Sequence, residues 1–281
     1  MTIRELITKY SAGLEDISDT PRLDVEMLLS RALGDVDRIY IHMNIDKELE
    51  EDIQNKFTKM YDMRKDGRPI AYILGNREFM GLDFHVEEGV LIPRPDTEPL
   101  IEELIEIFAG RIQIVDIGTG SGAITVSLAK YLPESRVLSL DISDKPLEVG
   151  ARNAEANGVA DRVQFLQSNM FSAIENSGMV FDLIVSNPPY IRREDIKGLQ
   201  KQVKDFEPIL ALDGGTDGLD FYRDITRESK KYLKKGGILA YEVGHDQAEE
   251  VSEILKSNGY KKIYTKKDLS GIDRVVIGHN L

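Results

Sequence analysis

The 281-residue chain contains no cysteine, which excludes disulfide stapling and any thiolate metal site and fits an intracellular protein. Histidine is scarce. His42, His85, His245 and His279 stand at no metal-ligand spacing from one another, so no resident metal is expected. Long apolar runs are missing as well, and nothing approaches the roughly 18 residues of a membrane span. The opening Met1-Thr2-Ile3-Arg4-Glu5-Leu6 carries charges where a signal peptide would have its apolar centre. A cytoplasmic protein without a membrane segment is therefore the expectation. Positive charge is in deficit, with a formal net charge of −13. Broad binding to a phosphate backbone needs a basic face, so no direct nucleic-acid contact is expected and a basic protein partner suits the charge better. Five pairs could form a local basic patch: Arg192-Arg193, Lys230-Lys231, Lys234-Lys235, Lys261-Lys262 and Lys266-Lys267. Solvated helix and loop faces are the better account of them.

What is present is an ordinary globular composition, 41% apolar and 30% charged, in a length that allows one large domain and one small one. Residues 1 to about 72 carry few strand signals. Thr20-Pro21 opens a helix with Leu23, Met27, Leu28 and Leu33 on its apolar face and Gly34 as its stop. A second helix is predicted over 46–66, with Leu49, Ile53, Phe57 and Met60 on one stripe and Gly67 beyond it. Phe79–Ile92 alternates as a β-hairpin would, with Glu87-Glu88-Gly89 as its turn. After it, Asp96 or Thr97 is expected to cap a helix over 100–108. From Arg111 onward strands and helices alternate, the mark of a wound parallel sheet. Strands are predicted at 112–117, 137–141, 163–167, 181–186, 237–243, 262–264 and 275–278, with helices at about 122–131, 145–157, 220–234 and 246–257. The last two strands have no helix between them, which predicts an antiparallel edge. A long mixed stretch, 191–218, stands apart; such loops are commonly functional.

Two turns carry the chemistry. Gly118-Thr119-Gly120-Ser121-Gly122 follows a strand and opens a helix, so backbone can approach a ligand without side-chain obstruction. About twenty residues on, the next strand ends in Asp141, an acceptor for ribose hydroxyls. Alone, this pattern also fits a relaxed nicotinamide-dinucleotide fingerprint. The second turn, Ser186-Asn187-Pro188-Pro189-Tyr190, ends a strand of unbroken apolar character. Asn187 precedes proline and is pushed to extended backbone, while the prolines offer carbonyls and no N–H. Such an acceptor-rich loop suits a planar –NH2 group, one hydrogen going to the Asn187 side-chain oxygen and the other to the Pro188 carbonyl. That draws the hydrogens from the plane and localises the nitrogen lone pair. Tyr190 can lie against the planar group. Hydride transfer has no use for this cradle. Transfer of a methyl group from S-adenosyl-L-methionine does, and Asn169 and Met170, after the third strand, are then placed to hold adenine.

With these motifs in hand, the chain resembles the release-factor glutamine methyltransferases (PrmC/HemK type) over nearly its whole length. The likeness runs through Arg68–Gly75, Glu78–Gly81, Leu91–Glu98, Asp116–Gly122, Asn187–Tyr190, Glu207-Pro208 with Ala211-Leu212, and Gly214–Leu219. It implies an α/β fold: a seven-stranded, Rossmann-like class I methyltransferase sheet with a small N-terminal helical bundle and a bridging β-hairpin. The division implied is 1–75 as a helical substrate-docking domain, 76–95 as hairpin linker and 96–281 as the methyltransferase domain. The implied reaction is methylation of the glutamine side-chain amide in the Gly-Gly-Gln motif of a class-1 peptide chain release factor, by a monomer. Asn187, Pro188 and Tyr190 are then the catalytic residues. Gly118, Thr119, Gly120, Ser121, Gly122, Asp141, Asn169, Met170 and Asn187 bind cofactor; Asn187, Pro188, Pro189, Tyr190, Arg94 and Thr97 bind substrate. One departure stands out, since the family commonly has Asp where this chain has Asn169. The same Asn-Pro-Pro-Tyr turn also serves enzymes that methylate amino groups of adenine or guanine, which is the alternative reading. A non-catalytic binding protein is a further one, which the intact Asn187 and glycine turn disfavour.

Overall fold

The computed structural model describes residues 1–281, and the chain divides into two compact units. The first comprises Met1–Gly75 with Gln200–Phe206; the second comprises Asn76–Leu199 and Glu207–Leu281. Gln200–Phe206, which the sequence reading assigned to the methyltransferase domain, thus falls in the helical unit.

The helical unit contains α1 (Ile3–Ala12), α2 (Pro21–Ala32), α3 (Arg38–Met43), α4 (Glu51–Lys65) and α5 (Ile70–Leu74). A capping box starts α1: the Thr2 hydroxyl accepts from Glu5 N–H at 3.2 Å and the Glu5 carboxylate accepts from Thr2 N–H at 2.9 Å. Proline at the first position starts α2 without a side-chain cap. Its buried face differs from the predicted stripe. Val25, Leu28, Leu29 and Ala32 are fully buried together with Asp24 and Glu26, whereas Leu23, Met27 and Leu33 are only half-buried. Asp24 pays for its burial by pairing with Arg64 of α4 at 2.6 Å, and Glu26 accepts from Arg22 and Arg38. The predicted helix over 46–66 begins only at Glu51, and the short α3 before it was not foreseen.

The second unit opens with β1 (Asn76–Phe79) and β2 (Leu82–His85). This hairpin turns at Met80-Gly81, not at Glu87–Gly89. Both turn residues are left-handed, φ +52° and +67°, as a two-residue hairpin turn requires. Methionine is a poor sequence signal for that conformation, so the sequence points to Glu87–Gly89 instead. Phe79 and Phe84 pack edge-to-face within the core of this unit, so the hairpin is part of it.

Then follow α6 (Glu98–Ile107), β3 (Gln113–Ile117), α7 (Ala123–Tyr131), β4 (Arg136–Asp141), α8 (Asp144–Ala156), β5 (Val163–Gln167), β6 (Phe181–Ser186), α9 (Lys201–Lys204, in the helical unit), α10 (Asp220–Ser229), β7 (Leu233–Glu242), α11 (Ala248–Ser257), β8 (Lys261–Lys267) and β9 (Asp273–His279). The seven strands β3 to β9 form one sheet in the order β5-β4-β3-β6-β7-β9-β8. The first five are parallel, and β9 inserts antiparallel between β7 and β8, the antiparallel edge expected from the sequence. Strand residues alternate between two apolar cores. Ile114, Val137, Leu183 and Ala240 face one, and Val115, Leu138, Ile184 and Leu239 face the other. Strands buried on both faces have no polar side to show, hence their unbroken apolar runs. No helix is long and apolar enough to cross a membrane.

Candidate active site

The sheet reverses its direction of winding between β3 and β6. Open α/β sheets bind ligands outside the carboxyl ends of their strands at such a switch point. Register brings those ends level, since Ile117 pairs with both Leu140 and Ser186, and Asp141 pairs with Gln167. The glycine turn, Asp141, Ser168–Met170 and the Asn187 turn therefore share one edge. The Ser186 hydroxyl donates to the Ile117 carbonyl at 2.6 Å and ties the two central turns together.

Gly118, Gly120 and Gly122 all have positive φ. Their reasons differ. A Cβ on Gly122 would stand 3.0 Å from Gly150 Cα, so that glycine serves helix packing. A Cβ on Gly120 would meet nothing within 4 Å, so that glycine fronts open space where a ligand can approach. Gly120 N–H reaches one Asp141 oxygen at 3.3 Å, and Ser143 N–H reaches the other at 2.9 Å. Each carboxylate oxygen keeps a further acceptor site. Burial raises the Asp141 pKa, and these backbone donors oppose the rise. Thr119 and Ser121 turn their side chains inward, Thr119 onto the Ser139 hydroxyl at 2.8 Å, so both offer a ligand only main chain. Asn169 is exposed, and Met170 beside it holds a left-handed φ of +48°, half-buried against the second apolar core. A glycine turn open to solvent beside a carboxylate with spare acceptor sites fits a ribose-bearing cofactor. Asp116, fully buried beneath the turn, takes the Thr125 hydroxyl at 2.6 Å, and its other oxygen has no partner. Burial pushes that carboxyl to about 7.

Across the switch point, the half-buried Asn187 donates through Nδ2 to Thr97 Oγ1 at 3.3 Å. The amide is thus held by its donor end, leaving Oδ1 as the acceptor to present. Thr97, expected at the substrate or as the cap of α6, makes no side-chain cap; it is 4% exposed and its hydroxyl accepts from Asn187. Asp96 likewise caps nothing and pairs with Arg274 at 2.7 Å. Arg94, also expected at the substrate, is ion-paired with the buried Glu207. Tyr190 points its hydroxyl toward Glu242 Oε1 at 3.5 Å and packs its ring on the second apolar core. Burial, reinforced by Glu242, raises its phenol far above the ordinary value, so it stays neutral.

The turn is clamped from behind by residues the sequence reading missed. Gln247 is buried and spends its whole amide: Nε2 donates to Tyr190 O at 3.0 Å and Gly218 O at 3.2 Å, and Oε1 accepts from Gly244 N–H at 3.1 Å. A Cβ on Gly214 would lie 2.7 Å from Tyr190 Cα, and one on Gly218 would lie 2.4 Å from Tyr190 O. Gly214 and Gly218 are thus required by contact with the Asn187–Tyr190 turn.

The profile of the Methyltransferase small domain matches residues 95–264, and that of the PrmC N-terminal domain matches residues 5–75. A release factor glutamine methyltransferase of Clostridium acetobutylicum is 45% identical over 99% of this chain and 98% of its own length. Its counterpart in Clostridium botulinum is 42% identical over 98% of each chain. The chain belongs to the release factor glutamine methyltransferase family. The same fold is found in a methyltransferase from Pyrococcus furiosus, with a TM-score of 0.52 and 20% identity, covering 81% of this chain and 98% of that one. In this family member five of the ten basic residues noted in the sequence are ion-paired. Arg192 meets Asp246, Arg193 meets Asp213, Lys234 meets Asp182, Lys266 meets Glu103 and Lys267 meets Asp273.

Proposed function

We propose that this protein transfers a methyl group from S-adenosyl-L-methionine to the side-chain amide nitrogen of the glutamine in the Gly-Gly-Gln motif of a class-1 release factor. The observation that carries this reading is the Asn187 amide, held through Nδ2 by Thr97 at the switch point with Oδ1 left to accept. The bound cofactor would supply an electrophilic methyl on a sulfonium. The Gly118–Gly122 main chain and Asp141 would hold its ribose end, with Asn169 and Met170 at adenine. Asn187 Oδ1 and the Pro188 carbonyl would each accept one N–H of the substrate amide, and preorganised acceptors of this kind cost nothing to reorganise at the moment of reaction. The nitrogen lone pair, freed from conjugation, would take the methyl carbon while the S–C electron pair stays on sulfur, and the nitrogen would then lose one proton to water. Pro189 and Tyr190 would shape the walls of the slot.

A protein substrate is favoured over a nucleobase by the net charge of −13 and by the ion pairs that occupy Arg192 and Arg193 next to the Asn187 turn. The match of residues 5–75 to the PrmC N-terminal domain supports assigning the helical unit to release-factor docking. Labelled S-adenosyl-L-methionine and the purified protein, added to an extract lacking this gene, test the substrate class. Label that protease releases supports the reading. Label that resists protease and is freed by nuclease overturns it in favour of the nucleobase.

A further inference from the structure

Glu242 is the last residue of β7 and is 1% exposed. Parallel pairing of Ser186 with Tyr241 brings the next residues, Asn187 and Glu242, side by side at the strand ends. From register, burial and hydrogen-bond polarity, we propose that Glu242 is a positioning residue that sets which end of the Asn187 amide faces the substrate. The proposal rests on the reading that Asn187 receives the substrate amide.

A primary amide has a donor end and an acceptor end, and only the acceptor end can take a substrate N–H. Thr97 alone holds Asn187 weakly, by one contact of 3.3 Å to a hydroxyl that can itself act as donor or acceptor. An ionised carboxylate accepts only, so beside Glu242 the amide must turn its NH2 inward and its oxygen outward. A protonated carboxyl can donate to Oδ1 and hold the amide the wrong way round.

The groups facing Glu242 come from four elements. Asp96 and Thr97 precede α6; Asn187 and Tyr190 follow β6; Tyr222 lies on α10; Arg274 lies on β9. Tyr222 spends its hydroxyl on the Glu242 backbone carbonyl at 2.9 Å. Arg274 is taken by Asp96 at 2.7 Å and Asp268 at 3.1 Å, so no cation pairs the carboxylate directly. Oε1 has the Tyr190 hydroxyl at 3.5 Å, and Oε2 completes no hydrogen bond. Burial accordingly pushes the carboxyl to about 7; Thr97 and Asn187 oppose the shift, Asp96 adds to it and Arg274 opposes it. Ionisation, and with it the productive amide, is gained as pH rises through that value.

The test is the single-turnover rate of methyl transfer to a purified class-1 release factor, with cofactor saturating, for the parent and Glu242→Gln. The parent rate should rise between about pH 6 and about pH 8, one unit either side of about 7. Glu242→Gln, which carries both a donor and an acceptor, should lose that step and run roughly 10–100-fold slower at the upper pH, the scale of a hydrogen bond to a charged group. Its calorimetric affinity for S-adenosyl-L-methionine should match the parent's, which also reports that it is folded. A pH step retained in Glu242→Gln overturns the proposal, because Asp116 on the cofactor side would then be its source. A flat parent profile overturns it whatever the variant does. Absence of transfer by the parent at every pH removes the functional reading itself, and this proposal with it.

Discussion

Asn187, donating through Nδ2 to Thr97, presents one free acceptor, and this defines its expected contribution. Asn187→Ala should lower the single-turnover rate by on the order of 10²–10³-fold, the loss of one preorganised transition-state hydrogen bond, with cofactor affinity little changed. A defect confined to cofactor binding would remove Asn187 from the chemistry. Asp141 belongs to the opposite side of the switch point. Because its two oxygens also hold Gly120 and Ser143, Asp141→Ala loses both a ribose acceptor and the anchor of the glycine turn. Cofactor binding should weaken by roughly 1.5–3 kcal/mol, and unchanged affinity by calorimetry would contradict the placement. Asp116 supplies a pH test of stability. Its carboxyl, raised to about 7 by burial, binds a proton in the folded state that the unfolded chain releases near 3.8. The folded state therefore binds more protons between these values, and stability falls as pH rises through that window. Asp116→Asn lacks this loss, so its stability relative to the parent should improve from about pH 5 to about pH 8 in denaturant titrations. A difference independent of pH would show that Asp116 is not the group responsible.

Among the elements, α2 shows what periodicity misses. Asp24 and Glu26 interrupt the apolar pattern and suggest a solvent-facing side, yet both are buried because arginines of α4, α2 and α3 meet them. Only the tertiary partner makes that burial tolerable, and sequence pattern carries no sign of it. Removing one partner leaves a buried charge, so Asp24→Ala should destabilise the helical unit by roughly 3–5 kcal/mol. A loss below about 1 kcal/mol would mean that the pair is effectively solvated. In contrast, β6 is legible to the residue, since a central strand buried on both faces announces itself as an apolar run before a polar turn. The hairpin turn at Met80-Gly81 is not, because left-handed methionine follows from the packing of Phe79 and Phe84.

For the molecule as a whole, the glycine turn and the Asn-Pro-Pro-Tyr turn could be read from sequence because each needs particular residue types at one stretch of chain. Their supports could not. Thr97, Gln247 and Glu242 come from three segments that meet only once β6 and β7 pair and α6 and α11 fold back over them. An acid ending a buried strand beside β6 was the one available signal, and it required the strand order. The central claim joins this supported turn to a glutamine in a release factor. The most direct measurement is tandem mass spectrometry of a purified class-1 release factor after incubation with this protein and S-adenosyl-L-methionine. The account predicts one added methyl group on the side-chain nitrogen of the Gly-Gly-Gln glutamine, appearing on the order of 10²–10³-fold more slowly with Asn187→Ala. An unmodified glutamine, or a methyl group found on another residue, would contradict it.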